Sequence, residues 1–293
     1  MNSEPANNNT YIFDPESPTE MARLINQDRV MTQAMGGALP NIADLSNMRS
    51  VLDLGCGPGG WAMDVAFQLP EAEVTGVDVS RIMIDYANAR ADTHDLPNVI
   101  FKQMDITQPF AFPDASFDLV NQRFLGTVLK REAWLPFLKE CTRVLRPGGQ
   151  LRLTEMVGEG MTSSAAVNHF MRLIVKLFWK IGYGFSPDGE SWGIVHAFPQ
   201  LLRALGHDYI QIFGYGLEYS FNTTAWSDQY HNIEISGIQI KQTMVDFGLI
   251  SSKDFDYLHQ QAIIDMHQKD FQGLISLHTF LARKPIEVEE VTK

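Results

Sequence analysis

The sequence predicts an α/β fold, a mostly parallel sheet with helices packed on both faces. Three observations carry that expectation. From Ser50 onward, strand-like and helix-like segments alternate, the order that parallel strands joined by crossover helices require. The first of those strands, Ser50 to Leu54, runs straight into a glycine-rich turn that opens a helix. The second ends in Asp78, 23 positions after Gly55 in that turn.

Taken in chain order, Ser17-Pro18-Thr19-Glu20 reads as a helix start, with Ser17 as cap, Pro18 at the first helical position and Glu20 reaching back in a capping box. Met21, Leu24, Ile25, Met31 and Met35 then recur at helical spacing until Gly36-Gly37. Strands are expected at Ser50 to Leu54, Glu73 to Val79, Val99 to Met104, Phe117 to Asn121 and Gly149 to Glu155. Helices are expected between them at Trp61 to Gln68, Arg81 to Ala91 and Glu132 to Leu145. Further helices at Ala165 to Ile181 and Phe198 to Leu205 precede two last strands, Tyr209 to Gly216 and Leu274 to Ala282. The stretch Asn222 to Gln272 between those strands is too long for an ordinary connection and carries helical patterns of its own, so it reads as a lid insertion.

The 293 residues, 45% hydrophobic and 20% charged, suffice for one substantial core, and one elaborated domain is expected rather than two independent ones. Its expected parts are an N-terminal tail and cap helix over 1–49, a ligand-binding core over 50–155, and a remainder over 156–293 that completes the sheet, with helical lid insertions at about 160–195 and 222–272. The longest apolar stretch, Leu173 to Trp179, is broken by Lys176 and falls short of the roughly 20 apolar residues that span a bilayer, so no transmembrane segment is expected. The start MNSEPANNNT has no basic residue and no apolar run; it does not read as a secretory signal, and the cytoplasm is the expected location.

A net charge of −12 argues against a nucleic-acid partner, because phosphate binding draws its affinity from a basic stripe. The three arginines from Arg143 to Arg152 bracket Pro147-Gly148-Gly149 and read as a solvated helix end. Only two cysteines occur; Cys56, inside the glycine turn, reads as a small packed residue before a nucleophile. The scattered histidines show no paired zinc spacing, so no metal is expected. No G-x-S-x-G elbow and no P-loop ending occur either.

Val51-Leu52-Asp53-Leu54-Gly55-Cys56-Gly57-Pro58-Gly59-Gly60 is the centre of the functional reading. Glycines belong where the chain must turn tightly and let a ligand approach the backbone. Gly55, Gly57 and Gly60 satisfy the dinucleotide pattern G-x-G-x-x-G, which keeps NAD under consideration. Asp53 separates the readings: a carboxylate two residues before Gly55 repels a pyrophosphate and attracts an amino-acid ammonium. Asp78, closing Val74-Thr75-Gly76-Val77-Asp78, can accept hydrogen bonds from ribose hydroxyls, which suits any nucleoside ligand.

Together with Met104-Asp105-Ile106, Phe112-Pro113-Asp114-Ala115-Ser116-Phe117-Asp118-Leu119-Val120 and Arg143-Val144-Leu145-Arg146-Pro147-Gly148-Gly149, these segments resemble the class I S-adenosylmethionine-dependent methyltransferases. The likeness covers about Ser50 to Glu155 and is nearest to the ubiquinone and menaquinone biosynthesis branch. It implies a Rossmann-like, seven-stranded, mostly parallel sheet and S-adenosylmethionine as cofactor, with S-adenosylhomocysteine as product. It implies Asp53 near the methionine amino group, Gly55 and Gly57 along the methionine and ribose, and Asp78 on the ribose hydroxyls. Asp105 would accept from the adenine amino group, Val79 and Ile106 would flank the ring, and Asn121 and Gln122 would line the site after the fourth strand. Asp118 reads as part of the turn before that strand.

The N-terminal segment is expected to close over the cofactor, through Tyr11 or the Ser17-capped helix. The expected acceptor is a small, largely apolar metabolite held under a lid built from Ala165 to Ile181 and Asn222 to Gln272. Candidates for orienting or deprotonating it are Glu155 first, then His169 and His196, with Tyr183 and His231 weaker. The Met- and aromatic-rich stretch Phe170 to Phe185 reads as core, or as a contact in a homodimer, before it reads as a pocket. A second reading keeps cofactor binding without methyl transfer, as a different reaction or a binding role.

Overall fold

The computed structural model describes residues 16–158 and 160–286, so Tyr11 lies outside the described residues. Its centre is one sheet with strands β1 (Ser50–Leu54), β2 (Glu73–Asp78), β3 (Val99–Gln103), β4 (Phe117–Arg123), β5 (Leu145–Met156), β6 (Met161–Thr162), β7 (Asp208–Glu218) and β8 (Gly273–Arg283). The order across the sheet is β3-β2-β1-β4-β5-β8, with β7 on the far edge of β8 and the two-residue β6 extending the edge that β5 occupies. β1 to β5 run parallel and β8 is antiparallel to both β5 and β7. The chain order reverses between β1 and β4, which opens a crevice at the carboxyl ends of those strands. The predicted Rossmann-like architecture is therefore the observed one, with β6 as an eighth strand.

The helices are α1 (Pro18–Ala34), α2 (Gly60–Gln68), α3 (Arg81–Thr93), α4 (Trp134–Val144), α5 (Ala165–Lys180), α6 (Ile194–Ala204), α7 (Trp226–Asp246) and α8 (Ser252–Met266). Side chains alternate across a strand, so a strand covered on both faces must be apolar at every position. β1 shows this directly. Val51 joins an apolar cluster with Trp61, Val65, Ile84 and Phe101, while Leu52 and Leu54 join a second with Leu138, Phe170, Phe198 and Phe280. Asp53 breaks the pattern, and it does so at the ligand end.

Three expectations change. Ser17 occupies the cap position of α1 but makes no side-chain cap hydrogen bond, and Glu20 pairs with Arg23 at 2.6 Å. Asp118 is the second residue of β4 and not part of the turn before it; its Oδ2 accepts from the amides of Arg49 and Ser50, both at 2.9 Å, and its Oδ1 accepts from Arg146 at 2.7 Å. It fastens the amino ends of three strands, far from the ligand crevice. Arg152 is not a solvated helix end, since it lies fully buried in the middle of β5.

The two expected lid segments pack on each other. Phe170 of α5 meets Phe255 of α8 edge-on, with ring centres 5.7 Å apart, and Ser164 donates to Asp265 at 2.5 Å. α7 packs on α8 and reaches α1. Phe170, Met171, Leu177, Phe178 and Tyr183 are buried in the chain's own core, so that aromatic stretch is packing. No helix among the described residues is long and apolar enough to cross a membrane.

Candidate functional site

The glycine turn is built to keep backbone exposed to a ligand. The amides of Gly55 and Cys56 both donate to the Val77 carbonyl at 2.9 Å, drawing the turn against the end of β2. Gly55 has φ +69°, and a Cβ there would stand 2.8 Å from Leu125 Cδ2, so a side chain fits neither the backbone nor the space. Asp78 Oδ2 accepts from the Gly57 amide and Oδ1 from the Ser80 amide, both at 2.9 Å. Burial, the largest influence, lifts the Asp78 carboxyl above its ordinary value, and those amides partly offset it. Asp105 is half-buried, and its Oδ1 accepts from the Thr107 amide and hydroxyl at 2.8 and 2.7 Å. Ile106 is buried and its Cδ1 lies 3.9 Å from the position of a Gly55 Cβ, whereas Val79, just after β2, is exposed. The residues expected to bind a nucleoside thus gather at the ends of β1, β2 and β3.

α1 lies across this turn. Leu24 Cδ1 comes within 4.0 Å of where a Cβ on Gly57 would stand, and a Cβ on Gly60 would collide with Asp28 Oδ2 at 1.9 Å. Val30, Met31 and Met35 are buried, while Met21, Leu24 and Ile25 are half-buried. Glu16 accepts from the amides of Arg81 and Ile82 at 3.2 and 3.4 Å, at the start of α3. Arg123, at the end of β4, ties α1 down by hydrogen bonds to Asp28 and to Thr32. Composition gave no signal for Arg123 or Asp28, because their pairing joins residues 95 positions apart.

Behind the turn runs a buried polar row. Asp53, Asn121 and Arg152 are aligned on β1, β4 and β5. Asn121 Nδ2 donates to Asp53 Oδ1 at 2.7 Å, and Arg152 Nη1 donates to Asn121 Oδ1 at 2.7 Å. Burial pushes the Asp53 carboxyl up to about 7, opposed by the charge of Arg123 and the Asn121 hydrogen bond. Burial likewise lowers Arg152 to about 9, so it stays charged at neutral pH. The guanidinium carbons of Arg123 and Arg152 lie 5.9 and 5.8 Å from the Trp61 ring. The sequence held a signal for Asp53, the one charged residue in the apolar run of β1, but none that singled out Asn121 or Arg152 among the several polar residues of β4 and β5.

On the opposite face of the sheet, Glu155 is buried and its Oε1 accepts from Gln122 Nε2 at 2.6 Å and from the Gly126 amide at 3.1 Å. Gln122 therefore meets Glu155, one strand over, while Asn121 meets Asp53. Burial pushes Glu155 up to about 8 against those hydrogen bonds. Its carboxyl holds the 3-10 turn Leu125–Thr127, whose Leu125 packs on Gly55. His169 on α5 and His196 on α6 are both exposed, so the structure does not bring them to Glu155. Tyr183 is core, and His231 is exposed with Nδ1 against the Ser227 carbonyl at 2.7 Å. Burial raises the Cys56 thiol well above its ordinary value, which suits packing and not nucleophilic attack. No group of three or more metal-ligating side chains occurs among the described residues.

Residues 51–149 match the family model described as a methyltransferase domain. Methyltransferase str3 of Strobilurus tenacellus is 30% identical over 155 residues, covering 53% of this chain and 51% of that protein. A demethylmenaquinone methyltransferase of Listeria welshimeri is 32% identical over 146 residues, covering 49% of this chain and 60% of that protein. The chain thus spans little more than half the length of the curated relatives it matches. The crystal structure of YcgJ from Bacillus subtilis superposes with a TM-score of 0.57 at 17% identity, covering 87% of this chain and 99% of that one, a likeness of fold. Residues 51–149 are thus similar in sequence to methyltransferase domains, and the fold around them is one that methyltransferase-like structures share.

Proposed function

We propose that the protein transfers a methyl group from S-adenosylmethionine to a small acceptor molecule. The observation that carries this reading is the pairing of two acidic residues across the glycine turn: Asp53 stands before it and Asp78 closes it from β2. A buried carboxylate ahead of the turn suits an ammonium group and opposes a pyrophosphate. Asp78 can accept from ribose hydroxyls, since its two oxygens offer about four acceptor positions and backbone amides do not take all of them. Buried Ile106 and exposed Val79 offer apolar surface suited to an adenine ring, with Asp105 next to Ile106 in the chain. The residues present therefore fit the cofactor, whose sulfonium would supply the methyl group.

What the chain itself contributes is orientation and exclusion of water. Intramolecular placement of reactants can be worth effective molarities of about 10⁵ to 10⁸ M, against about 10² to 10⁴ for a general base. Glu155 fits a positioning role, because its oxygen is committed to Gln122 and the Gly126 amide. α1, with its half-covered Met21, Leu24 and Ile25, supports the reading of a cap over the cofactor. A largely apolar acceptor remains part of the proposal. The groove of 280 Å³ between α1 and α7 is not its seat, since Ser17, Thr19, Glu20, Arg23, Asn232, Ser236 and Gln239 line it with Ile235 alone apolar. Release of S-adenosylhomocysteine in the presence of pooled small acceptors tests the activity. Release with at least one pool supports it, and cofactor binding without release from any acceptor class favours the non-methylating reading.

A further inference from the structure

Asn121 sits between a guanidinium, which can only donate, and the Asp53 carboxyl, which accepts when ionised. The Arg152 guanidinium has no acceptor, so the Asn121 oxygen must face it, and the amide NH₂ is thereby turned toward Asp53. Asp53, Asn121 and Arg152 are 3%, 0% and 0% exposed, so no competing solvent bond resets the amide. Arg152 Nε and Nη2 find no acceptor among the described residues. A buried cation so sparsely bonded is a poor stabilising device, because an apolar residue of similar size at such a place is often neutral or better for stability.

We propose that Asn121 and Arg152 are positioning residues that hold the Asp53 carboxylate ionised and oriented for the ammonium group of the ligand. This inference rests on the reading that the ligand carries such a group. The row is a carboxylate and a guanidinium joined through one amide, which leaves the second oxygen of Asp53 for the incoming charge. The charged and titratable groups around Asp53 are Arg123 on β4, Asp28 on α1, Arg152 on β5 and Cys56 in the turn, itself beside Asp78. Asp64 of α2 faces Asp28 and Arg123. Burial drives Asp53 toward protonation, while Arg123, Asn121 and Arg152 pull it back. An ammonium binds the ionised form, so affinity climbs as pH rises through the titration of unliganded Asp53, about 7. Removing Arg152 or Asn121 moves that climb to higher pH.

The test is the dissociation constant of S-adenosylhomocysteine from pH 5.5 to 8.5, measured by calorimetry on the full chain, for the parent, Arg152→Met, Arg152→Lys and Asn121→Ser. A midpoint displaced upward by one pH unit weakens affinity about tenfold on the acid side and leaves it within about threefold at pH 8.5. That is the result expected for Arg152→Met and Asn121→Ser, with Arg152→Lys closer to the parent because it restores the charge. Asn121→Ser cuts the row at its centre and gives the same readout if Arg152→Met does not fold. A loss of affinity equal at every pH, or an unmoved midpoint, overturns the proposal while leaving cofactor binding intact. A parent that binds at no pH overturns the ligand reading with it.

Discussion

Asp78 and Gly57 are joined across the glycine turn, the carboxylate Oδ2 accepting from the glycine amide at 2.9 Å. One side chain therefore both shapes the turn and awaits the ribose. Asp78→Ala removes charge-assisted hydrogen bonds worth about 1.5 to 3 kcal/mol each before water compensates. Affinity for S-adenosylhomocysteine is expected to fall about 10- to 1,000-fold, at about 1.4 kcal/mol per tenfold, and the unliganded protein is expected to melt earlier. Calorimetric titration with parallel melting curves checks both. An unchanged dissociation constant in a folded variant would place the ribose elsewhere.

Gly60 and Asp28 test the cap. An alanine at 60 puts its Cβ where Asp28 Oδ2 now stands, so Asp28 must move away from Arg123 and loosen α1. Gly60→Ala is expected to bind the cofactor product at least severalfold more weakly while keeping the circular dichroism of the parent. Faster amide exchange in α1 would accompany it. Parent-like affinity and exchange would show that α1 does not close the site.

Leu24→Ala probes the same helix from its apolar side. The side chain is half-covered and lies over Gly57, so it contributes little to the core of the unliganded protein. Burial of a Leu side chain against a ligand is worth about 1.5 to 3 kcal/mol when complete, and the alanine retains part of that. The expected result is a roughly three- to tenfold weaker complex with a nearly unchanged melting temperature. A large drop in melting temperature with unaltered affinity would make Leu24 a packing residue.

Glu155 carries a pH signature. Its carboxyl titrates near 8 when folded, well above an unfolded glutamate, so the folded chain holds a proton that the unfolded chain has released. Stability from this group is full below the unfolded value and is lost as pH rises through about 8. Glu155→Gln keeps an acceptor for Gln122 and the Gly126 amide and removes the titration. The parent's melting temperature should fall more than the variant's between pH 5 and pH 8. Equal falls would mean that Glu155 is ionised in the folded protein. Asp53 and Asp78 are also raised, so the variant's slope is reduced and not abolished.

Local signals decided what could be read before the structure. The strand, glycine turn and helix of Ser50 to Gln68 were legible because turn chemistry and alternation are written in neighbouring residues. The gathering of Gly55, Gly57, Asp78, Asp105 and Ile106 followed from where parallel strands end. The exposed positions of His169 and His196 were not legible, since which face of α5 or α6 turns outward depends on partners distant in sequence. Arg152 falls inside the expected strand Gly149 to Glu155, but its charge suggests solvent; its burial opposite Asn121 depends on a neighbouring strand that no local pattern encodes. Asp28 meets Arg123 because α1 crosses the end of β4, a placement that no local pattern in the sequence encodes.

In the proposed function, the crevice at Asp53 and Asp78 takes a nucleoside with an amino-acid tail. Calorimetric titration of the full chain with S-adenosylhomocysteine, and separately with NAD, tests it most directly. The expected outcome is a saturable complex with S-adenosylhomocysteine that Asp53→Ala and Asp78→Ala each weaken, and no complex with NAD. Binding of NAD without binding of S-adenosylhomocysteine would contradict it.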